Sequence, residues 1–150
     1  MSARLGQFVK PDAEVIVVGA GVAGSAAALG LARRGHEVIL LDRAAFPREK
    51  VCGEGLMPHG VAALGRLGVL DAVLATGVQP FTGIAYHVDE LTAVGRFPGG
   101  ARGIGLRRVR VDEALHAACR AAGGIDVREQ VRVRGVSGVG GAMSVATDAG

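Results

Sequence analysis

The stretch Val15-Ile16-Val17-Val18-Gly19-Ala20-Gly21-Val22-Ala23-Gly24 decides the fold predicted for this chain of 150 residues. Its first four residues form an apolar, β-branched run without polar alternation, which is typical of a strand buried on both faces. Glycines then follow in the pattern G-x-G-x-x-G. Residues 25–34 are rich in Ala and Leu and end in two arginines before a glycine. This pattern predicts a helix with cations in its last turn and a glycine stop.

A second buried strand is predicted over residues 37–41, and Asp42 closes it. Strand, helix and strand within about thirty residues make one βαβ unit and predict an α/β fold of the Rossmann type. In such a unit Gly19 allows a tight turn, Gly21 lets a pyrophosphate approach the main chain, and Gly24 lets the helix pack close to the strand. The start of the helix favours an anion, and Asp42, 18 residues after Gly24, can accept hydrogen bonds from ribose hydroxyls. These positions predict a site for an adenosine dinucleotide.

The identity of the dinucleotide stays open at this point. Asp42 disfavours NADP because a carboxylate repels a 2′-phosphate, although Arg43 beside it partly offsets that repulsion. A nicotinamide-binding domain usually continues into another helix and strand soon after its second strand. Here a polar, glycine-rich loop spans residues 43–57 instead, and loops of that length are often functional.

Beyond this loop the sequence predicts a mixture of helices and strands. The predicted elements are a helix from Pro58 to Leu67, a helical turn over 69–75, strands over 81–88 and 91–97, a loop over 98–105, a helix over 112–122, and strands over 126–136 and 143–147. The last two strands are expected to form a hairpin through residues 137–141.

Composition excludes several classes of protein. Apolar residues make up 49% and charged residues 21%, so the chain can bury a core and disorder is not expected. The net charge is only +3, and aromatic residues are nearly absent around the arginines of segment 107–110, so no nucleic-acid partner is expected. Two cysteines and four scattered histidines form no metal-ligand pattern, and no serine stands in a G-x-S-x-G elbow. No segment reads as a signal peptide or membrane helix, which predicts a cytoplasmic protein.

Three segments together resemble the FAD-dependent oxidoreductases of the aromatic hydroxylase (group A monooxygenase) superfamily, most closely its geranylgeranyl reductase and flavin-dependent halogenase branch. They are the glycine motif with Asp42-Arg43, the loop segment 46–56 (FPREKVCGEGL), and the segment 106–112 (LRRVRVD) with Leu115. The glycine motif is shared by many enzymes, whereas the Cys-Gly loop is much more specific. The resemblance continues through residues 57–60 and covers nearly the whole chain.

The resemblance implies a glutathione reductase-like FAD/NAD(P)-binding domain with an antiparallel β excursion, with FAD as cofactor. It further implies NAD(P)H as electron donor and a small-molecule substrate, which is either reduced at an isoprenoid-like double bond or hydroxylated or halogenated through oxygen activation. No catalytic residue is predicted within the chain, because the flavin would carry the chemistry. Of the arginines in the later segment, Arg108 is favoured for contact with FAD because it stands four residues before Asp112. The implied cofactor-binding residues are Gly19, Ala20, Gly21, Ala23, Gly24, Asp42, Arg43, Arg48, Lys50, Cys52, Gly53 and Arg108.

Two motifs of the superfamily are missing. Members carry an Asp-Gly motif and a later Gly-Asp motif, and neither dipeptide occurs here. We therefore expect residues 1–150 to be the N-terminal portion of a truncated FAD-binding domain. Two alternatives stay open: an NAD-dependent dehydrogenase domain and a non-catalytic dinucleotide-binding fragment. Cys52 is either a reactive thiol beside Arg48 and Lys50 or a structural cysteine, and His59 either faces the flavin or lies on the surface.

Overall fold

A computed structural model of the chain describes residues 12–51, 54–139 and 142–148. In chain order the elements are β1 (Val15–Val18), α1 (Val22–Ala32), β2 (Val38–Leu41), β3 (Gly55–Leu56), α2 (Pro58–Arg66), α3 (Leu70–Leu74), β4 (Gln79–Phe81), β5 (Gly83–Val88), β6 (Leu91–Arg96), a 3₁₀ turn (Pro98–Gly100), β7 (Gly103–Gly105), α4 (Arg108–Ala121), β8 (Ile125–Arg128), β9 (Val133–Val139) and β10 (Ala142–Thr147). No helix in these ranges combines the length and the apolar character needed to cross a bilayer.

A parallel three-stranded sheet in the order β1-β2-β8 organises the domain. All four residues of its central strand β2 are buried, as expected for a strand covered on both faces. Helices α1 and α4 contact each other as well as the sheet. Leu29 of α1, Leu40 of β2 and Leu115 of α4 belong to one buried cluster that joins these elements.

The predicted βαβ unit is confirmed, and its glycines show why the residues on either side lie so close. A Cβ added at Gly24 would overlap the carbonyl oxygen of Gly19 and lie 3.4 Å from Val17 Cγ1. Only glycine therefore lets α1 pack this closely against β1. The prediction of cations in the last turn of α1 is wrong: the helix ends at Ala32, and Arg33 is its C-cap residue.

The antiparallel excursion is also confirmed. β3, β7 and β4 form one antiparallel sheet in the order β3-β7-β4, while β5 with β6 and β9 with β10 form two hairpins. The loop predicted over 98–105 is wrong in its second half, because β7 lies there as the central strand of its sheet. Its sequence is Gly-Ile-Gly, and a Cβ at Gly103 would overlap the ring of Phe81. The glycine that reads as a loop signal is thus required for packing.

The single strand predicted over 126–136 is wrong, since the chain leaves the parallel sheet after β8 and begins β9 at Val133. Gln130 has φ +59°, and Val131 N–H donates to the carbonyl oxygen of Asp42 at 2.9 Å. The left-handed conformation of Gln130 and the hydrogen bond of Val131 separate β8 from β9. The strand predicted over 81–88 likewise starts earlier and divides into β4 and β5.

Helix α4 begins four residues earlier than predicted, at Arg108 rather than Asp112. Its buried side chains are Val111, Asp112, Leu115, His116 and Cys119. Asp112 and His116 are polar, so the pattern of apolar residues alone predicts a shorter buried face than the structure shows. The earlier start makes Arg108 the first residue of the helix.

Candidate functional site

The glycine motif forms the turn between β1 and α1. Gly19 adopts φ +98°, a left-handed conformation that favours glycine, and its N–H donates to the carbonyl oxygen of Leu41 at 2.7 Å. Gly21 is the N-cap of α1, and the helix has neither a side-chain cap nor an acidic residue in its first turn. The N–H groups of that turn, which includes the exposed Ala23, are therefore free of side-chain caps and suited to an anion.

Two guanidinium groups lie over Gly21. A Cβ added there would be 3.3 Å from Arg48 Nη2 and 3.7 Å from Arg108 Nη2. The side chains of Arg48 and Arg108 are only 20% and 19% exposed. The loop after β2 and the start of α4 thus bring two largely buried cations to the N-terminus of α1, the end of the helix that attracts negative charge.

Two buried carboxylates hold these arginines. Asp112 Oδ1 accepts a hydrogen bond from Arg108 Nε at 2.8 Å, while Asp112 Oδ2 lies 3.9 Å from Arg48 Nη1. Asp42 Oδ2 lies 3.6 Å from Arg48 Nη2. Arg48 Nε and Asp112 Oδ2 are buried without a hydrogen-bond partner among the described residues. Because its contacts are long and incomplete, the Arg48 guanidinium is paired in charge but retains a donor for an additional acceptor.

Both carboxylate oxygens of Asp42 accept hydrogen bonds from the main chain. Oδ2 accepts the N–H of Ala20 at 2.7 Å, and Oδ1 accepts the N–H of Ala44 at 2.9 Å. Asp42 is 7% exposed and Ala20 is 1% exposed. The structure therefore gives Asp42 a main-chain role that its spacing did not predict, while each oxygen keeps a lone pair for a ribose hydroxyl.

A cleft of 790 Å³ opens beside Asp42, lined by the ends of β1 and β2, residues of the loop 42–50 and residues 131–134. Arg43 and Lys50 are exposed at this cleft and form no ion pair with any described residue. Sequence reasoning missed Arg132 and Arg134, which also line it. The break between β8 and β9 brings them there, and no local motif marks that break.

The other predicted residues lie in less informative places. Arg107 is 65% exposed and pairs with Glu49 at 2.9 Å, and Arg110 is 57% exposed beside Glu113. Of the three neighbouring arginines, only Arg108 therefore reaches Gly21. His59 is exposed at the start of α2. Cys52 and Gly53 lie outside the described residues, and in the ranges that are described no group of three or more His, Cys, Asp or Glu side chains is placed to hold a metal ion.

An aromatic stack beside the arginines also escaped the sequence analysis. The rings of Phe46 and His116 lie parallel, 4.1 Å apart and inclined by 8°, and Arg48 Cζ is 5.0 Å from the centre of the Phe46 ring. Glu129 Oε2 accepts the Phe46 N–H at 2.8 Å, and Glu129 Oε1 accepts from Arg120 Nη1 at 2.8 Å. The polar residues at 108, 112, 116 and 120 are spaced by four, which places them on one face of a helix. That spacing is the signal from which this polar face of α4 could have been predicted.

Burial sets the ionisation of His116. The ring is 5% exposed, and its Nε2 lies 3.3 Å from Glu129 Oε1 without hydrogen-bond geometry. Burial lowers the pKa of His116 most strongly and Arg120 adds to that effect, while Glu129 and Asp42 oppose it. The ring is therefore neutral at pH 7. Burial also raises the pKa of the Cys119 thiol, which lies in the core against Ser25.

Comparison with known proteins places this geometry among flavoproteins. The sequence profile described as "FAD binding domain" matches residues 12–145. Menaquinone reductase from Mycolicibacterium smegmatis is 60% identical over 57 residues, or 38% of this chain and 14% of that protein. Squalene epoxidase from Schizosaccharomyces pombe is 32% identical over 123 residues, or 79% of this chain and 27% of that protein.

Among solved structures, the myxobacterial chondrochloren halogenase, described as a variant of FAD-dependent halogenases, matches with a TM-score of 0.75 and 29% identity. That match covers 90% of this chain and 35% of the halogenase. The shared region is thus between 14% and 35% of the length of these three relatives.

Proposed function

The chain belongs to the FAD binding domain family, and from that premise we propose that Gly21, the first turn of α1, Arg48 and Arg108 hold the pyrophosphate of FAD. Family membership confirms the predicted resemblance and FAD as the cofactor. The observation that carries the assignment is the convergence of two guanidinium groups within 4 Å of the Cβ position of Gly21. A side chain at position 21 would block the approach of a pyrophosphate to the main chain, so the site requires glycine there.

We propose that the adenosine half of FAD occupies the cleft beside Asp42. Asp42 would accept ribose hydroxyls on the lone pairs that the Ala20 and Ala44 N–H groups leave free. Arg43 and Lys50 face the same cleft and would raise the local concentration of an anionic ligand. Gly19, Ala20, Ala23 and Gly24 would act through the shape of the turn, and Cys52 and Gly53 remain proposed contacts from the family resemblance alone.

In this proposal the protein contributes binding and orientation. FAD, when bound, supplies two-electron transfer between a donor and a substrate or oxygen. Arg48 and Arg108 neutralise the pyrophosphate, while Asp112 holds Arg108 through a hydrogen bond and Asp42 and Asp112 balance the charge of Arg48. Tight packing of α1 against β1 at Gly24 fixes the helix end to which the anion binds.

For the whole protein we propose a cytoplasmic oxidoreductase of which residues 1–150 supply the ADP-binding portion. The 60% identity with menaquinone reductase over 57 residues favours a reductase. As its substrate and donor we propose an isoprenoid-like double bond and NAD(P)H. A second candidate is oxygen activation in an epoxidase or halogenase, and the squalene epoxidase match over 79% of the chain favours it. Anaerobic oxidation of NAD(P)H coupled to saturation of a side-chain double bond of an isoprenoid quinone distinguishes the two, because only the reductase proceeds without oxygen. The mass gain of the side chain persists after any quinol is reoxidised in air, which separates it from reduction of the quinone ring.

The experiment that tests the binding proposal is a titration of the purified chain with FAD and with ADP, monitored by calorimetry and by quenching of flavin fluorescence. Both ligands carry the pyrophosphate and adenosine, so both should bind the same site and compete. NAD carries the same ADP moiety, so the dehydrogenase alternative is supported only if NAD binds more tightly than both FAD and ADP. If ADP does not bind, or if FAD binds without competing with ADP, the proposed site is wrong.

A further inference from the structure

We propose that the stack of His116, Phe46 and Arg48 aims the Arg48 guanidinium at the N-terminus of α1, which makes Phe46 and His116 positioning residues for the pyrophosphate site. The inference rests on the proposed function, because it names the device that sets the geometry of that same site. Among the described residues, the side chains within 4 Å of the Cβ position of Gly21 are those of Arg48 and Arg108, so the two rings would act through Arg48.

Arg48 needs such a device because its ion pairs alone leave the guanidinium poorly fixed. Its distances to the carboxylates of Asp42 and Asp112 are 3.6 Å and 3.9 Å, longer than a charge-assisted hydrogen bond. Its Nε is buried without a hydrogen-bond partner. An arginine side chain loses much rotamer freedom when it is held in one conformation. The ring of Phe46, whose centre is 5.0 Å from Arg48 Cζ, forms a cation–π contact that restricts the guanidinium.

Phe46 is itself anchored from two sides. Its N–H donates at 2.8 Å to Oε2 of Glu129, the residue after β8. Its ring is stacked on the ring of His116 in α4, with the ring centres 4.1 Å apart. The neutral His116 ring is 5% exposed and has little freedom to move. The loop after β2 is thereby fixed to α4 at the level of Arg48.

The same helix holds the second cation of the site. Arg108 is the first residue of α4, and Asp112 on the next turn bonds its Nε at 2.8 Å. His116, one turn further, carries the stack under Arg48. Helix α4 therefore sets the positions of both guanidinium groups relative to each other, one through a carboxylate and one through an aromatic ring.

The proposal predicts an effect without any change of charge. Phe46→Leu keeps an apolar side chain but removes the ring face, and Phe46→Tyr keeps the face. We expect Phe46→Leu to weaken ADP binding about three- to tenfold, and Phe46→Tyr to bind within about twofold of the parent. Thermal unfolding of each variant identifies any loss of folded protein.

The decisive measurement is a double-mutant cycle with Arg48→Gln, with ADP titrated into the full chain. If Phe46 acts through Arg48, Phe46→Leu causes no additional loss of affinity in the Arg48→Gln background. An equal loss in both backgrounds, or no loss in the parent, overturns the inference. If the parent chain itself does not bind ADP, the proposed function fails first, so the two failures are distinguishable.

Discussion

Alanine at Gly21 and alanine at Gly24 are the same chemical change within one turn of α1, and the structure predicts opposite outcomes for them. At Gly24 the new Cβ would meet the carbonyl oxygen of Gly19, which is rigid main chain. At Gly21 it would meet only the terminal Nη2 atoms of two arginine side chains, at 3.3 Å and 3.7 Å, which a shift of a few tenths of an ångström relieves. Gly21 also has φ −72°, which any residue adopts without strain.

The magnitudes follow from these contacts. Overpacking against a rigid neighbour costs about 3 kcal/mol at the upper end of its range, and alanine regains about 1 kcal/mol of helix propensity. Gly24→Ala should therefore lower the free energy of unfolding by about 2 kcal/mol. Gly21→Ala should change it by less than about 0.5 kcal/mol. Its Cβ instead keeps the pyrophosphate from the main chain, which removes about 1.5–3 kcal/mol of charge-assisted hydrogen bonding and weakens ADP binding about ten- to 150-fold.

Urea unfolding and ADP titration of the same three variants test both statements. The third variant, Gly30→Ala, is the matched control in the same helix, because a Cβ there meets only Arg34 Nη1 at 3.6 Å. It should be about 0.5–1 kcal/mol more stable than the parent and bind ADP normally. Unchanged ADP binding by Gly21→Ala would refute the placement of the pyrophosphate, and an undiminished stability of Gly24→Ala would refute the packing argument.

Three more changes have defined outcomes. Asp42→Asn leaves one of two main-chain N–H groups without its acceptor, so the free energy of unfolding should fall by about 1–3 kcal/mol; an unchanged urea midpoint would contradict the bracing role. Because burial lowers the pKa of His116 in the folded state, the unfolded chain binds more protons between that lowered pKa and the ordinary value of 6.5, and the free energy of unfolding decreases as the pH is lowered through that window. His116→Phe should remove this part of the pH dependence when unfolding is compared at pH 7.0 and pH 5.5, and an identical slope would count against it. Arg33→Ala removes two hydrogen bonds to carbonyl oxygens at the end of α2 and should speed amide exchange there. Arg34→Ala, which removes a hydrogen bond to the carbonyl oxygen of Gly30 in α1, should leave exchange in α2 unchanged.

The βαβ unit could be predicted because its information is local. Gly19, Gly21 and Gly24 stand at spacings that one turn of backbone fixes, and Asp42 follows at the end of the next strand. The same local character explains why Arg108 could be chosen over its neighbours, since the spacing to Asp112 is that of one helical turn.

Other features depend on contacts between distant segments and left no local trace. β7 contains only three residues, two of them glycine, and it is a strand because β3 and β4 pair with it on either side. The stack of Phe46 on His116 joins residues that are 70 positions apart. Residues 129–132 contain neither glycine nor proline, so no local signal separated them from the strand predicted over 126–136, and the hydrogen bond of Val131 to Asp42 accompanies the break.

The pairing of β2 with β8 has a consequence for the order in which the domain folds. β1, α1 and β2 are consecutive, whereas β8 joins β2 only after a loop of residues 42–124 has closed. That closure costs roughly 4 kcal/mol of chain entropy before the new strand pair offsets it, so we expect β8 to dock late. Pulsed hydrogen exchange during refolding should protect the amides of β2 that face β1 before those of β8. The cleft beside Asp42 is lined on one side by the ends of β1 and β2, which form early, and on the other by residues 131–134, which follow β8. The proposed adenosine site would therefore be complete only after β8 has docked.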